Sequence, residues 1–518
     1  MGRWLGGIRR THGLAACALA LAAAVCGTPS VSASGGPVFT MHLVSEPDSL
    51  DPAKTSRVQS DQVMWLLYDR LTQLSADGSR MEPALAERWE QSADGLTYTF
   101  SLRRNVVFHD GSPVDAQAVK ISYERQYLSA SPQYSATPPN AYERVLSGLV
   151  KDIRVLDSHT VAISLHYPQP QQFALVSIVS PQALAKSGGH LGRAPIGTGP
   201  FRLERWEGDR ILLTAFPASW RGRPRVGGAT FVIVPDSQAA VERLEAGDFH
   251  LLSSVAPQYF ERLAANPDLR LVKVGGLNVR FLGMQMERPA LRDRRVREAI
   301  VRAVDVERLV SHSGRGALLA ARGPLPPASL GYDPQLRQPA YDPQQARNLL
   351  QDADATAGLS LRVLYNASLE YWSEAVHAIR SDLRKVGIQL EPVGVPDWKA
   401  FHETRRQNAH DMYLYGWSVS TPDPERFLFR LFHSKSPDNF GRYGSGAVDD
   451  LLEQARQPMD EARRLRLYRE ATRTILTDIP ALFLFHHTGF AVHRARAAGL
   501  TLNLYGWPQD KLTAVEIR

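Results

Sequence analysis

The sequence predicts an α/β fold, because short apolar strands alternate with amphipathic helices along much of the chain. The clearest case is a strand at 361–366, a helix whose apolar residues recur every three or four positions from Trp372 to Val386, and a strand at 388–393. Strand, helix and strand in this order predict two parallel strands joined by a right-handed crossover. The length of 518 residues exceeds the size at which one core usually divides, so two or three domains are expected.

The first half of the chain predicts more strands than helices. Residues 37–51 begin as an alternating strand and end in a turn rich in Pro, Asp and Ser. Residues 98–102 and 160–166 predict two further strands. Residues 195–201 read Pro-Ile-Gly-Thr-Gly-Pro-Phe and are a candidate place for the chain to cross between domains. A helix is predicted over 59–75, with one apolar face formed by Val63, Leu66, Leu67 and Leu71.

The second half contains a clear helix start. Asp342 is predicted as the N-cap, with Pro343 at the first helical position and Gln345 three residues after the cap. Residues 398–407 predict another helix, and residues 412–418 predict a strand.

The predicted strands also locate a candidate binding site. In open α/β sheets, ligands bind outside the carboxyl ends of the strands. The ends of the strands at 361–366 and 412–418 therefore predict a site that contains Tyr365, Asn366, Tyr415, Gly416 and Trp417.

The amino terminus predicts a signal peptide over residues 1–33. A basic start precedes an apolar run at 13–25, and Val31-Ser32-Ala33 supplies a small-x-small cleavage site. Both cysteines, Cys17 and Cys26, lie in this segment, so the mature chain is expected to lack disulfides and thiolate chemistry. Leu14-Ala15-Ala16-Cys17 resembles a lipid-attachment box, but almost no apolar region precedes it, which favours a freely soluble mature protein.

Charge and motifs exclude several classes of function. Arg3, Arg9 and Arg10 supply part of the formal net charge of +7, and the +4 that remains after residue 33 is small and evenly spread, so we expect no nucleic-acid partner. The sequence has no nucleotide-binding, hydrolase or zinc-protease motif. His486 and His487 with His493 are spaced poorly for a metal, because adjacent residues of a strand point to opposite faces. We therefore expect no metal, no cofactor and no catalytic group.

Short motifs in a fixed order carry a resemblance to one family. They are 45–52 (SEPDSLDP), 85–89 (LAERW), 98–103 (YTFSLR), 108–114 (FHDGSPV), 197–201 (GTGPF), 292–300 (RDRRVREAI), 341–343 (YDP), 398–401 (WKAF) and 416–424 (GWSVSTPDP). The ordered set covers almost the whole mature chain. It resembles the large periplasmic solute-binding proteins of peptide-type ABC transporters.

The resemblance implies a periplasmic-binding-protein-like fold of the class II, cluster C type, with two lobes, a hinge and three domains. Domain I is expected at 34–68, 196–284 and 485–518, domain II at 69–195, and domain III at 285–484. The implied function is a periplasmic, monomeric receptor without enzymatic activity, which captures a peptide or peptide-like solute and delivers it to an ABC permease in the inner membrane. The alternatives are a non-peptide ligand such as a nickel chelate, haem or a γ-glutamyl compound, a receptor for sensing or chaperoning, and a secreted α/β enzyme.

The resemblance also implies the residues of the binding site. Segments that match Glu46-Pro47 and Gly416-Trp417-Ser418 pair with an extended ligand backbone. Trp398 and Trp417 are expected to wall side-chain pockets, although buried tryptophans also pack in cores. Three further contacts are implied. Asn278 lies beside the cleft. Arg405 lies either in a pocket or on a solvated helix face, and Asp423 either lies near the ligand or caps a helix.

Two departures from the family put the ligand in question. Peptide binders carry an Asp three residues after the Trp of the Gly-Trp segment, where it pairs with the ligand's α-amino group, and this chain has Ser420. Dipeptide binders carry an Arg near the strand end that matches 364–371, and this chain has none there. Because a buried ammonium without a counter-charge is costly, either another acid, such as Glu46 or Asp423, takes the role of the missing Asp, or the ligand lacks a free amino terminus.

Overall fold

The computed structural model describes residues 35–518 apart from 56, 135–142, 315, 356–357 and 458. The predicted signal peptide at 1–33 lies outside the described residues.

The strands are numbered in chain order. They are β1 (Val38–Leu43), β2 (Thr72–Leu74), β3 (Met81–Pro83), β4 (Ala86–Gln91), β5 (Thr97–Leu102), β6 (Val150–Asp157), β7 (Thr160–Leu165), β8 (Phe201–Glu207), β9 (Arg210–Ala215), β10 (Gly228–Ile233), β11 (Leu251–Leu252), β12 (Leu269–Val274), β13 (Asn278–Met284), β14 (Leu318–Ala320), β15 (Ser360–Asn366), β16 (Gln389–Val395), β17 (Met412–Ser418), β18 (Ala481–His487), β19 (Gly489–Arg494), β20 (Ala497–Ala498) and β21 (Glu516–Ile517).

The helices are numbered in the same way. They are α1 (Val58–Leu67), α2 (Ala116–Tyr127), α3 (Glu143–Leu149), α4 (Pro181–Lys186), α5 (Ser237–Ala246), α6 (Phe260–Ala264), α7 (Pro289–Arg292), α8 (Arg294–Ala303), α9 (Val306–Gly314), α10 (Pro343–Asp352), α11 (Glu370–Arg384), α12 (Trp398–Arg406), α13 (Glu425–Phe432), α14 (Gly446–Gln454) and α15 (Glu461–Asp478), with short 3₁₀ turns at Pro170–Ala174 and Pro257–Tyr259.

Two large mixed sheets organise the described residues into an α/β fold with two lobes. The first sheet has seven strands in the order β12-β19-β11-β1-β10-β9-β8, and β1 pairs in parallel with β10 and β11. The second sheet has six strands in the order β14-β18-β13-β17-β15-β16. A smaller antiparallel sheet, β4-β5-β7-β6, packs with α2 and α3 around a separate apolar core.

The predicted strand–helix–strand unit is confirmed. β15 and β16 pair in parallel from Ser360 with Gln389 to Asn366 with Val395, and α11 connects them. The apolar face of α11 is buried against the second sheet. The predicted start of α10 is also confirmed, because the Asp342 carboxylate accepts a hydrogen bond of 2.9 Å from the Gln345 amide.

The helix predicted over 59–75 is wrong at its carboxyl end. α1 ends at Leu67, and Thr72–Leu74 forms a strand with Met81–Pro83. Leu67 is buried in the core of the first sheet, whereas Leu71 is buried in the core of the smaller antiparallel sheet. The helical spacing of apolar residues therefore continues across the boundary between two cores. The helix itself ends before Tyr68, whose backbone is extended.

The chain crosses between the two large sheets at two neighbouring places. One crossing is 275–277, between β12 and β13, and the other is Thr488, between β18 and β19. The Asn278 side chain joins them, because it donates to the His487 carbonyl at 2.9 Å and accepts from the His487 amide at 2.8 Å. Gly276 is required here, since a Cβ would lie 1.8 Å from the His487 carbonyl oxygen. We call this pair of crossings the hinge.

One strand lies elsewhere than predicted. Residues 278–284 were expected in domain I, but β13 pairs with β17 and β18 of the second sheet. The reason is that the crossing falls at Gly275-Gly276, before the strand rather than after it. In the segment 195–201, Cβ atoms on Gly197 and Gly199 would lie 2.2 Å from carbonyl oxygens of α1, so both positions need glycine.

Candidate functional site

The hinge and the carboxyl ends of β17 and β18 form the edge of a cleft between the two lobes. Two cavities open there, and both are walled by Val58 of α1 and by Ser418 at the end of β17. The hinge cavity has a volume of about 640 Å³ and is also lined by Asn278 and His487. The Asp61 cavity has a volume of about 360 Å³ and is also lined by Ser420 and Tyr505. A ligand in either space would contact both lobes.

Three of the predicted site residues line these cavities. Asn278 lines the hinge cavity, Ser418 lines both cavities, and Ser420 lines the Asp61 cavity. The backbone of this segment is tied to the hinge, because the Val419 amide donates to the Leu277 carbonyl at 2.9 Å. The Ser420 carbonyl accepts a hydrogen bond from the Tyr505 hydroxyl, which links the second lobe to the carboxyl-terminal segment.

Three further predicted residues meet in an aromatic cluster beside β17. The Trp398 and Tyr415 rings are edge to face with centroids 5.4 Å apart, and the Arg405 guanidinium lies 3.8 Å from the Phe440 ring. Trp398 is 37% exposed, so its ring is open to solvent rather than packed in a core. Burial lowers the pKa of Arg405. The cluster can hold an apolar or aromatic group against the Trp398 face.

Gly416 and Trp417 are fixed by neighbours on opposite faces of β17. The Trp417 indole donates to the Arg426 carbonyl at 2.7 Å, which anchors the ring to α13. Gly416 lies against Arg280 of β13, because a Cβ at Gly416 would be 2.6 Å from the Arg280 Cδ. Glycine at this position therefore makes room for the arginine side chain.

The residues at the end of β15 contact the turn that follows this strand and the neighbouring strand β16. Asn366 is buried, and its side-chain oxygen accepts hydrogen bonds from the amide and hydroxyl of Ser368. Tyr365 is half-buried, and its hydroxyl lies next to Gly394 of the neighbouring strand. These contacts order the turn that leads into α11.

The two acids considered as replacements for an acid at position 420 both have partners. The Glu46 carboxylate, which is more than half exposed, pairs with Arg193 at 3.2 Å, and Pro47 next to it is buried. Asp423 is fully buried, and its two carboxylate oxygens each accept from Arg464 at 2.8 Å. Asp423 also accepts from the Glu425 amide at the start of α13, as the helix-cap interpretation expects.

Arg280 of β13 lies beside the predicted site residue Gly416 and was not itself predicted. Its guanidinium is half-buried, donates to the Val279 carbonyl at 3.3 Å and interacts with Tyr371. Among the described residues, no acid forms an ion pair with it, and burial lowers its pKa. An arginine in the mostly apolar run 277–284 was the available signal, since arginines are rarely buried without a partner. Such a group can bind a carboxylate.

Asp61 of α1 was missed as well. Its partly buried side chain lines the Asp61 cavity, and burial raises the pKa of its carboxyl to about 6. No sequence pattern marks this position, because an acid in the first turn of a helix is ordinary.

The histidines near the hinge do not converge on a point. His486 and His487 point to opposite faces of β18, and the His486 ring bonds the Asn278 carbonyl oxygen at 2.7 Å. Within the described ranges, no group of three or more His, Cys, Asp or Glu residues is placed to hold a metal ion. In the same part of the chain, no helix has the length and apolar character needed to cross a membrane.

A cleft between two α/β lobes, closed at one edge by paired crossing strands, defines a hinged solute-binding protein. The chain belongs to the bacterial extracellular solute-binding proteins, family 5, whose model for the middle part of the family matches residues 80–439.

Named relatives align over nearly the whole chain. The chain is 28% identical to a dipeptide-binding protein of Escherichia coli, over 95% of this chain and 96% of that protein. It is also 28% identical to heme-binding protein A of Haemophilus influenzae, over 85% of each. A solved structure of a periplasmic binding protein from Helicobacter pylori in complex with the peptide STSA superposes with a TM-score of 0.73 and 26% identity, over 93% of this chain and 98% of that one.

Proposed function

We propose that the chain is the exported receptor of an ABC importer, which binds a peptide or peptide-like solute in the cleft and delivers it to the permease. The observation that carries the proposal is the placement of Ser418 to Ser420. This exposed segment ends β17, lines both cavities and lies across the cleft from α1. A solute bound there would touch both lobes and favour their closed arrangement.

The walls of the cleft suit an extended backbone. Val44 follows β1, is 46% exposed and lines the hinge cavity from the first lobe. Ser418 and Val419 line the same cavity from the second lobe. A peptide main chain laid between Val44 on one wall and Ser418 on the other would contact both lobes. The relatives that are named for dipeptide or peptide binding support this assignment.

The remaining predicted contacts are part of the proposal. Trp398, Tyr415 and Arg405 wall a side-chain pocket, and the Arg280 guanidinium offers a counter-charge for a carboxylate of the solute. The hinge joins domains I and III, and domain II packs beside them. The receptor acts as a monomer in the periplasm, contacts the permease in the inner membrane, and needs no catalytic group.

A second candidate ligand is haem or another metal chelate. Two histidines, His42 and His487, line the hinge cavity, and burial lowers the pKa of both rings, His487 to about 4. A neutral imidazole is the form that binds iron or nickel. The His42 Nε2 atom is engaged by the Val234 carbonyl at 2.8 Å, so His487 is the better placed of the two.

A thermal-shift screen separates these candidates. Because a ligand that binds only the folded state raises the melting temperature by mass action, the purified mature chain is tested with di- and tripeptides, hemin and nickel chelates. Stabilisation by peptides alone supports the proposal. Stabilisation by hemin or a nickel chelate, abolished by His487→Ala, with none by peptides would replace it with the second candidate.

A further inference from the structure

Asp61 differs from the other acids around the cleft. Asp48 is bonded by Thr55 and Ser60, Glu46 pairs with Arg193, and Asp423 is held by Arg464. Among the described residues, no side chain gives Asp61 a hydrogen bond or an ion pair. The cation that faces the same cavity is Arg70, and its guanidinium donates to the Leu175 carbonyl at 3.2 Å and lies 4.9 Å from the Trp65 ring.

Burial of the Asp61 carboxylate is unfavourable because it removes hydration, and in the protein without ligand no paired cation among the described residues compensates for that loss. Burial raises the pKa of Asp61 to about 6, Asp48 adds to that rise, and the charge of Arg70 opposes it without cancelling it. A partly buried carboxylate without a hydrogen-bonded partner is less favourable than a fully hydrated one. A helix-dipole role for an acid in the first turn of α1 would be served as well by an exposed side chain, so it does not explain the burial.

Asp61 supplies a carboxylate to the cavity that is also lined by Ser420, where the family resemblance implies an acid. The two residues lie on the same cavity of about 360 Å³, Asp61 on α1 and Ser420 on the segment after β17. The family resemblance leads one to expect an acid at position 420, facing this space from the second lobe. Here the acid is on the first lobe. The cavity therefore still has one carboxylate, but α1 supplies it rather than the segment after β17.

We propose that Asp61 is the counter-charge for the protonated amino group of the bound solute, in place of the acid absent at Ser420. The inference rests on the proposed function and specifies its ligand as a peptide-like solute with a free amino terminus. It makes the amino group a bridge between the lobes, because the ammonium contacts Asp61 of one lobe and the Ser418–Ser420 segment of the other.

Titration calorimetry with two matched libraries tests the inference. One library contains di- and tripeptides with free amino termini, and the other contains the same peptides acetylated at the amino terminus. For the natural sequence we expect binding of free peptides and at least tenfold weaker binding of acetylated ones, about the loss that follows removal of one partner of a buried charge pair. Asp61→Asn and the second variant Asp61→Ser should weaken free-peptide binding by at least about tenfold.

Two further variants make the test specific. Glu307→Gln removes another first-turn acid, exposed and outside the cleft on α9, and should leave binding unchanged. Ser420→Asp in the Asp61→Asn background should restore binding of free peptides, because it returns a carboxylate to the same cavity. Far-ultraviolet circular dichroism verifies that each variant is folded.

The outcomes distinguish this inference from the proposed function. Unchanged affinity of folded Asp61→Asn for free peptides, or equal affinity of the natural sequence for both libraries, would overturn the role of Asp61 and leave a peptide receptor. Absence of binding to either library would overturn the peptide function itself, and the role of Asp61 with it.

Discussion

Asp423 and Arg464 form a bidentate ion pair inside the second lobe, with both N–O distances at 2.8 Å and both side chains buried. The pair links the turn before α13 to α15, and Asp423 follows Ser420 by three residues along the chain. We expect the pair to hold Ser418 to Ser420 in place.

Asp423→Asn should destabilise the chain by roughly 3–5 kcal/mol, because it leaves the Arg464 guanidinium buried without a counter-charge. Urea unfolding at neutral pH measures the loss. Glu46→Gln is the matched control, since it breaks a surface pair with Arg193 that contributes about 1 kcal/mol or less. A folded, fully stable Asp423→Asn variant that has lost only ligand binding would show instead that Asp423 contacts the solute.

Acidification from pH 6.5 to pH 4 should lower the stability of the chain. Burial lowers the pKa values of His109, His250, His410 and His486 to about 4, below the usual value near 6.5. Between these values the unfolded chain binds protons that the folded chain does not, so the free energy of unfolding falls as the pH falls.

Thermal unfolding across this range measures the effect, with roughly 1–3 kcal/mol lost per buried histidine by pH 4. His410→Gln should flatten the pH dependence, whereas a change at the exposed His190 should not. A melting temperature that stays constant from pH 6.5 to pH 4 would contradict the assignment of these rings as neutral.

Gly416→Ala should weaken both the fold and ligand binding, because its Cβ would lie 2.6 Å from the Arg280 Cδ and displace that side chain. Because the contacted atoms are the far end of a flexible side chain, the cost to the fold should be at the low end of the roughly 1–3 kcal/mol typical of overpacking. Gly444→Ala is the control, since a Cβ there meets no atom within 4 Å. If Arg280 does bind a ligand carboxylate, peptide amides without the terminal carboxylate should bind Gly416→Ala and the natural sequence with similar affinity.

Trp398→Ala should change ligand selectivity more than stability. The Trp398 ring is 37% exposed, whereas Trp372 is fully buried in the second lobe. Trp372→Ala should cost about 3–5 kcal/mol, and Trp398→Ala much less. Calorimetry with peptides that carry aromatic or small side chains tests the selectivity. Equal losses of affinity for both kinds of peptide would argue against a pocket wall at Trp398.

Local patterns predicted local structure well. The parallel pair β15 and β16, the cap at Asp342 and the helix at Trp398 all follow from spacing and capping chemistry within a few residues. The helix over 59–75 failed because apolar spacing does not reveal that Leu67 and Leu71 belong to different cores.

The candidate site was predictable only in part. The family resemblance indicated Asn278, Ser418 and Ser420, which line the cavities, whereas none of the residues indicated by the strand ends lines them. They could not show that Asp423 pairs with Arg464, 41 positions away, or that Asp61 has no side-chain partner among the described residues. Whether a charge is free depends on contacts between distant segments, and a single sequence does not contain them.

Mass spectrometry of small molecules released by denaturing the purified protein tests the central claim most directly, because tight receptors retain their ligands. The account predicts short peptides or peptide-like molecules with a free amino terminus, present in the natural sequence and depleted in Asp61→Asn. Release of a single non-peptide compound, such as haem or a nickel chelate, would contradict the peptide assignment and direct attention to His487 in the hinge cavity.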